Sequence, residues 1–210
     1  MTDWNFNPNR LFGTTLSHHG VQGMHWGVRN GPPYPLNAAG QMKTVKSLND
    51  DMNKNWDYGV LHNGKKITNL DNFNFEKDYR TIPLDTLKKE KIGLCWDMVN
   101  YQHSVFKDRG YPDKTYMFVS PYKGGIVTHT FSVVTIGDKN YWVESAKWND
   151  RGVHEVKDYK DVIKHLRKQD YGSPKYDVYE YNPDGMDKGL TDKEYFNKAT
   201  QNLIYTSTKR

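Results

Sequence analysis

The chain has 210 residues, of which 36% are hydrophobic and 26% charged, with a net charge of +5 and one cysteine. That length holds one or two domains with a core of ordinary size, and much of the apolar work falls to 15 Tyr, 8 Phe and 6 Trp. A single cysteine excludes an internal disulfide and a multi-thiolate metal site, and with no run of about 18 apolar residues no membrane partner is expected. The opening MTDWNFNPNRLFG lacks the basic region and apolar core of a signal peptide, so a reducing cytoplasm, or packaging from one, is expected. Lys and Arg are spread without a dense run. They read as a solvated surface, and no nucleic-acid partner is expected.

In chain order, residues 1–50 read as an irregular arm rich in Gly, Pro and His. His18, His19 and His25 invite a metal reading, but the segment lacks a fourth ligand and an ordered scaffold, so no metal is expected. GPPYP should be extended, and NAAGQMKTVKSLNDDMNKN follows as a short helix. A globular domain is expected over residues 51–210. LDTLKKEKIG is a short helix or turn ending at Gly93. CWDMVNYQHSVFKDRGYP is a helix, with Cys95, Met98, Val99, Gln102, Val105 and Phe106 on one face and Gly110 and Pro112 as its stop. Asp97 in its first turn suits the positive end of the helix dipole.

TYMFVSPY is a strand, and VTHTFSVVTIGDKNYWVESAKW is two strands joined by a tight turn at residues 137–140. DYKDVIKHLRKQDYG is a second helix closed by Gly172, and YDVYEYN is a further strand. LTDKEYFNKATQNL opens with Thr191 and Glu194, a capping-box pattern, and makes a terminal helix. Helix, antiparallel strands, helix and strand point to the α+β class.

Cys95 sits at a predicted helix start, where the dipole favours the reactive thiolate, and Gly93 would let the chain turn sharply into the helix. The backbone N–H of Cys95 would be an unpaired donor able to form half of an oxyanion hole. A nucleophilic cysteine needs a base, and His129 in GGIVTHTFSVV begins a strand after a double glycine. The third member depends on register. A two-residue turn at Asp138–Lys139 pairs position 133 with 144 and leaves Glu144 roughly 13 Å from His129. A loop of residues 136–139 places Glu144 opposite Phe131, diagonal to His129 at roughly 7–8 Å. Contact favours the longer loop. In the shorter register Asp150 lies on the His129 face and is the alternative. His154 could line the same site, but a structural role is preferred for it, and His62, His103 and His165 are weaker candidates.

Two resemblances add to this. HHGVQGMHWGVRNGPPYPL resembles a short HHG-x-x-G-x-x-WGVR signature of tailed-bacteriophage head-associated proteins. It implies a virion or host bacterial cytoplasm, and docking to phage structural proteins through residues 18–36. GLCWDMV, THTFSVV and YWVESAKWNDRGVHEV resemble a phage-associated transglutaminase-like family with a papain-like core, a match running from about Asp71 to Tyr181. That resemblance implies a helix bearing Cys95 packed on an antiparallel sheet, with Cys95 as nucleophile, His129 as general base and acid, and Glu144 as orienting residue. It implies a cysteine hydrolase or acyltransferase acting on a protein or peptide substrate, without a cofactor. The alternative is a non-catalytic virion or cargo protein using the same fold as a binding platform. Papain-like enzymes take a second oxyanion donor from a Gln before the Cys. Here no Gln lies between residues 42 and 101, leaving Trp56, Asn69 or Asn72. Replacing Cys95, His129 or Glu144 is expected to change fold stability little.

Overall fold

Helix α1 spans Ala38–Asn55 in a computed structural model of the protein, which describes residues 37–122, 125–169 and 174–207. The chain divides into two units, Met1–Asn37 and Ala38–Arg210. The division falls at 37/38, so the boundary expected near residue 50 is corrected: α1 belongs to the second unit. Val45 and Met52 on its inner face are fully buried, Val45 against Phe106, Val134, Ile136 and Val143, and Met52 against Trp56, Ile82, Leu87 and Met98. The remainder of the proposed arm, with His18, His19, His25 and Trp26, lies outside the described residues, as does Gly172.

Short elements follow α1. β1 (Asp57–Tyr58) leads to a hairpin of β2 (Val60–His62) and β3 (Lys65–Ile67), and then to α2 (Phe75–Asp78) and α3 (Leu84–Glu90). Lys91 adopts a left-handed conformation that ends α3, and β4 (Ile92–Gly93) pairs in parallel with β1, Tyr58 opposite Gly93. The long central helix α4 (Cys95–Asp108) comes next. β5 (Asp113–Tyr122), β6 (Gly125–Ile136), β7 (Lys139–Glu144) and β8 (Gly152–Val156) make an antiparallel meander. α5 (Tyr159–Gln169), β9 (Asp177–Tyr181), α6 (Asp192–Ala199) and β10 (Leu203–Thr206) complete the unit. The capping box at α6 is present: the Thr191 hydroxyl accepts from the Glu194 N–H, and Glu194 accepts from the Thr191 N–H.

The six-stranded sheet has the order β10-β9-β5-β6-β7-β8, with antiparallel neighbours throughout. Strand alternation sorts its side chains onto two faces. Phe131, Val133, Tyr116, Phe118 and Trp142 pack with Val162, Ile163 and Leu166 of α5. Val134, Ile136 and Val143 pack with Val45 of α1 and Phe106 of α4. A mixed helix and sheet architecture built on one large antiparallel sheet agrees with the α+β expectation.

Because α1 fills the core, Val45→Ala and Met52→Ala should each lower unfolding free energy by about 2–4 kcal/mol, as buried large-to-small changes do. Urea denaturation measures this. A chain begun at residue 51 should lose cooperative unfolding altogether.

Candidate active site

The site starts at Gly93. A side chain there would meet the Asp97 Cβ at 2.8 Å and Leu87 Cδ2 at 3.3 Å. Glycine is therefore demanded by the close approach of α4's first turn, and not only by a sharp turn of the chain. Asp97 explains why the turn lies so close. Its buried carboxylate accepts from the Leu94 N–H at 3.1 Å, the Ile82 N–H at 3.0 Å and the Tyr79 hydroxyl at 3.0 Å. Burial pushes Asp97 up to about 6, against the pull of those three donors. The residue read from sequence as a partner of the helix dipole is thus also the tether that fixes the chain entering α4.

Removing it should be costly. Asp97→Ala leaves three buried donors without an acceptor, a loss of roughly 3–5 kcal/mol in thermal or urea unfolding. An unchanged midpoint would mean that the first turn is held by something else.

Cys95 is the first residue of α4, and 6% of its surface is exposed. Its N–H has no carbonyl four residues back within the helix and is one of the orphan donors of the helix start. His129 lies on β6, paired with Phe118 of β5, and its ring stacks beside Phe131 at 6.4 Å between centroids. It is the fifth residue of β6 and not its beginning, because β6 already starts at Gly125. Its Nε2 meets Glu144 Oε2 at 2.8 Å. Both side chains are buried, with 5% and 2% of their surface exposed. The Cys95 side chain is near enough to the imidazole to contribute to raising its pKa.

The register decides why Glu144 reaches the ring. β6 and β7 pair Ile136 with Lys139 and Ser132 with Val143. One more step sets Glu144 opposite Phe131, diagonal to His129. This is the register expected from a longer loop, yet it is closed by a two-residue turn at Gly137–Asp138, one position earlier than the short turn considered. Gly137 takes a φ of +64°, which a two-residue hairpin turn requires and which glycine adopts without cost. The carboxylate is also fixed from behind: Oε1 accepts from the backbone N–H groups of Ala146 at 2.8 Å and Lys147 at 2.9 Å. Asn49 of α1 donates to the Glu144 carbonyl at 2.7 Å and to the Ser145 hydroxyl at 3.0 Å, and Gln102 of α4 donates to that same hydroxyl at 3.0 Å.

Charge follows from this arrangement. Burial pulls the His129 pKa down, but the Glu144 carboxylate with its hydrogen bond, and the nearby Cys95, raise it well above the ordinary imidazole value. Burial pushes Glu144 up, and the His129 charge with the two backbone donors brings it below its usual range. The pair is therefore an imidazolium and a carboxylate over a wide pH interval, with a sulfur beside the imidazolium.

Asp150, the alternative third member, is placed elsewhere. Its carboxylate holds His165 Nε2 at 2.7 Å and Lys147 Nζ at 2.6 Å, and its carbonyl meets His154 Nε2 at 2.7 Å. His154 lies against the Trp142 ring at 5.0 Å. His103 lies between Asp113 at 2.9 Å and Asp184 at 3.4 Å. Of the upstream oxyanion candidates, Trp56 is buried and its indole N–H donates to Asp51 at 3.3 Å. Asn69 and Asn72 are exposed, and Asn69 accepts from the Asp71 N–H. Sequence reasoning missed Asn49, Gln102 and Ser145. Each is a polar residue whose contact partner is 43 to 96 residues away, so no local pattern carries the signal.

A family described as a family of unknown function (DUF7211) matches residues 13–33. No curated protein matches the sequence. Among solved structures, the arylamine N-acetyltransferase NAT3 of Bacillus cereus, described as having a unique Cys-His-Glu catalytic triad, is similar over 73% of this chain and 88% of its own, with 13% identity and a TM-score of 0.32. The roles of Cys95, His129 and Glu144 therefore rest on the geometry of this chain.

Proposed function

We propose that the protein is a cysteine hydrolase or acyltransferase that acts on an amide or peptide bond through Cys95, His129 and Glu144, on a papain-like or transglutaminase-like core. The observation that carries this reading is one buried imidazole held at Nε2 by Glu144, its pKa raised in part by the cysteine that opens a 14-residue helix. Sulfur, base and acid lie far apart in sequence, and a core packed only for stability has no need to bury an ion pair beside its single thiol.

In the proposed reaction the Cys95 sulfur attacks the carbonyl carbon. The Cys95 N–H, at the positive end of α4, stabilises the oxyanion. The His129 imidazolium gives its proton to the departing amine. The neutral imidazole then takes a proton from water, or from an acceptor amine, as that nucleophile attacks the thioester and frees Cys95. Glu144 keeps the ring oriented and balances its charge in both steps. The likeness of residues 18–36 to a phage head-protein signature supports a virion or host bacterial setting, with phage structural proteins as partners.

The test is alkylation followed by a substrate screen. Wild-type protein should react with iodoacetamide at Cys95 at pH 6, and the alkylated protein should lose turnover of whichever peptide amide or acyl donor the native protein cleaves. A Cys95 that reacts only after denaturation sinks this reading.

A further inference from the structure

A groove of about 310 Å³ opens along α5, away from the triad. Its rim is cationic: Lys160, Lys164, Arg167 and Lys168 line it, and no acidic side chain does so among the described residues. Its floor is aromatic. Tyr205 stacks on Tyr176 at 5.4 Å with planes 25° apart, and Arg167 lies over the Tyr176 ring at 4.7 Å. Tyr159, on the other side, stacks on Tyr116 at 5.1 Å, with the Lys160 ammonium 6.0 Å from its ring. Tyr205 keeps 41% of its surface exposed.

A solvated lysine face does not account for this combination. Lys160, Lys164 and Lys168 stand four residues apart on one helix face, where like charges repel. Solubility needs no tyrosine floor beneath them. An anion in the groove removes the repulsion, and an aromatic surface left partly bare offers a stacking partner. The volume suits one nucleotide-sized ligand.

We propose that this groove binds a phosphate-bearing nucleotide, with the cations on the phosphate and Tyr205 stacking on the base. The ligand chemistry has two sources, a free nucleotide or one unit of a single strand. The site is independent of the triad chemistry.

Fluorescence anisotropy with a short fluorescein-labelled oligo(dT) at low salt, competed by AMP, ATP or inorganic triphosphate, tests the proposal on the full chain. Binding should weaken as salt rises, because phosphate contacts release counterions. The K164E/R167E pair should weaken it about tenfold or more, and the charge-matched K46E/K88E pair, at exposed positions outside the groove, about twofold or less. Tyr205→Ala should weaken oligo(dT) and ATP but leave triphosphate unchanged. Displacement of oligo(dT) by ATP and AMP identifies a free-nucleotide site, whereas oligo(dT) binding that neither displaces identifies a strand site. No binding of oligo(dT) at low salt overturns the proposal. So does equal weakening by both charge-reversal pairs, or displacement by triphosphate as effective as by ATP. All the substituted lysines and Arg167 are exposed, so the charge-reversal pairs carry the test even where Tyr205→Ala fails to fold.

Discussion

Cys95→Ser and His129→Gln should each lower turnover by about 10⁴-fold or more, and the double variant should be no worse than either single one, because nucleophile and base act as a unit. The same variants give a readout that needs no substrate. At pH 6 a free thiol with a pKa of about 8.5 is only about 0.3% ionised, so its alkylation is slow. Cys95 should react faster than such a thiol by about tenfold or more, and His129→Gln should abolish that advantage. Equal rates in wild type and His129→Gln would remove His129 from the mechanism. The choice of glutamine matters. His129→Ala would leave the Glu144 carboxylate buried and unpaired, a penalty of roughly 3–5 kcal/mol. With 5% and 2% of their surface exposed, His129 and Glu144 are where the expectation of little change in stability is best tested.

Glu144→Gln separates orientation from charge. The glutamine can still accept from the ring, so turnover should fall by about 10²-fold, less than on loss of the base. The pH profile should change shape as well. His129 is raised above its ordinary 6.5, mainly by the Glu144 charge against the pull of burial, so the imidazolium form that protonates the leaving amine persists into alkaline solution. Removing the charge should move the alkaline limb of the rate profile towards neutrality. Stability should follow. A raised imidazole pKa supports the fold fully below 6.5, and that support is lost as pH rises through the folded value. The lowered Glu144 supports it above 4.5, and that support is lost as pH falls through the folded value. The wild-type pair therefore stabilises the fold throughout 4.5–6.5 and some way beyond on both sides, and Glu144→Gln should flatten both edges. A rate profile that superimposes on the wild type would make Glu144 a packing residue.

Local signals made part of this legible. The helix at Cys95 followed from its apolar spacing, the terminal helix from Thr191 and Glu194, and the candidate triad from a lone cysteine with a strand histidine and an acid on the next strand. What failed did so where the decisive contact is not local. α1 reads as polar, with three buried side chains in 18 residues, so composition assigned it to an arm while Val45 and Met52 were packing against partners far along the chain. The choice between Glu144 and Asp150 turned on a one-residue shift of the hairpin turn, which side-chain pattern cannot fix when both registers keep the same face. The tether from Asp97 to Tyr79 and Ile82 bridges 18 and 15 residues through irregular chain, where no period exists to read.

The bond from Asn49 to the Glu144 carbonyl joins residues 95 apart in sequence. During synthesis, which adds residues one by one from the N-terminus, α1 and Cys95 emerge long before β6 and β7 have been made. On the proposed mechanism, the nascent chain thus carries its thiol without base or carboxylate until that hairpin exists. The proposed site is therefore complete only once β7 has been made and Asn49 of α1 has bonded to its last carbonyl, a timing imposed by the order of elements.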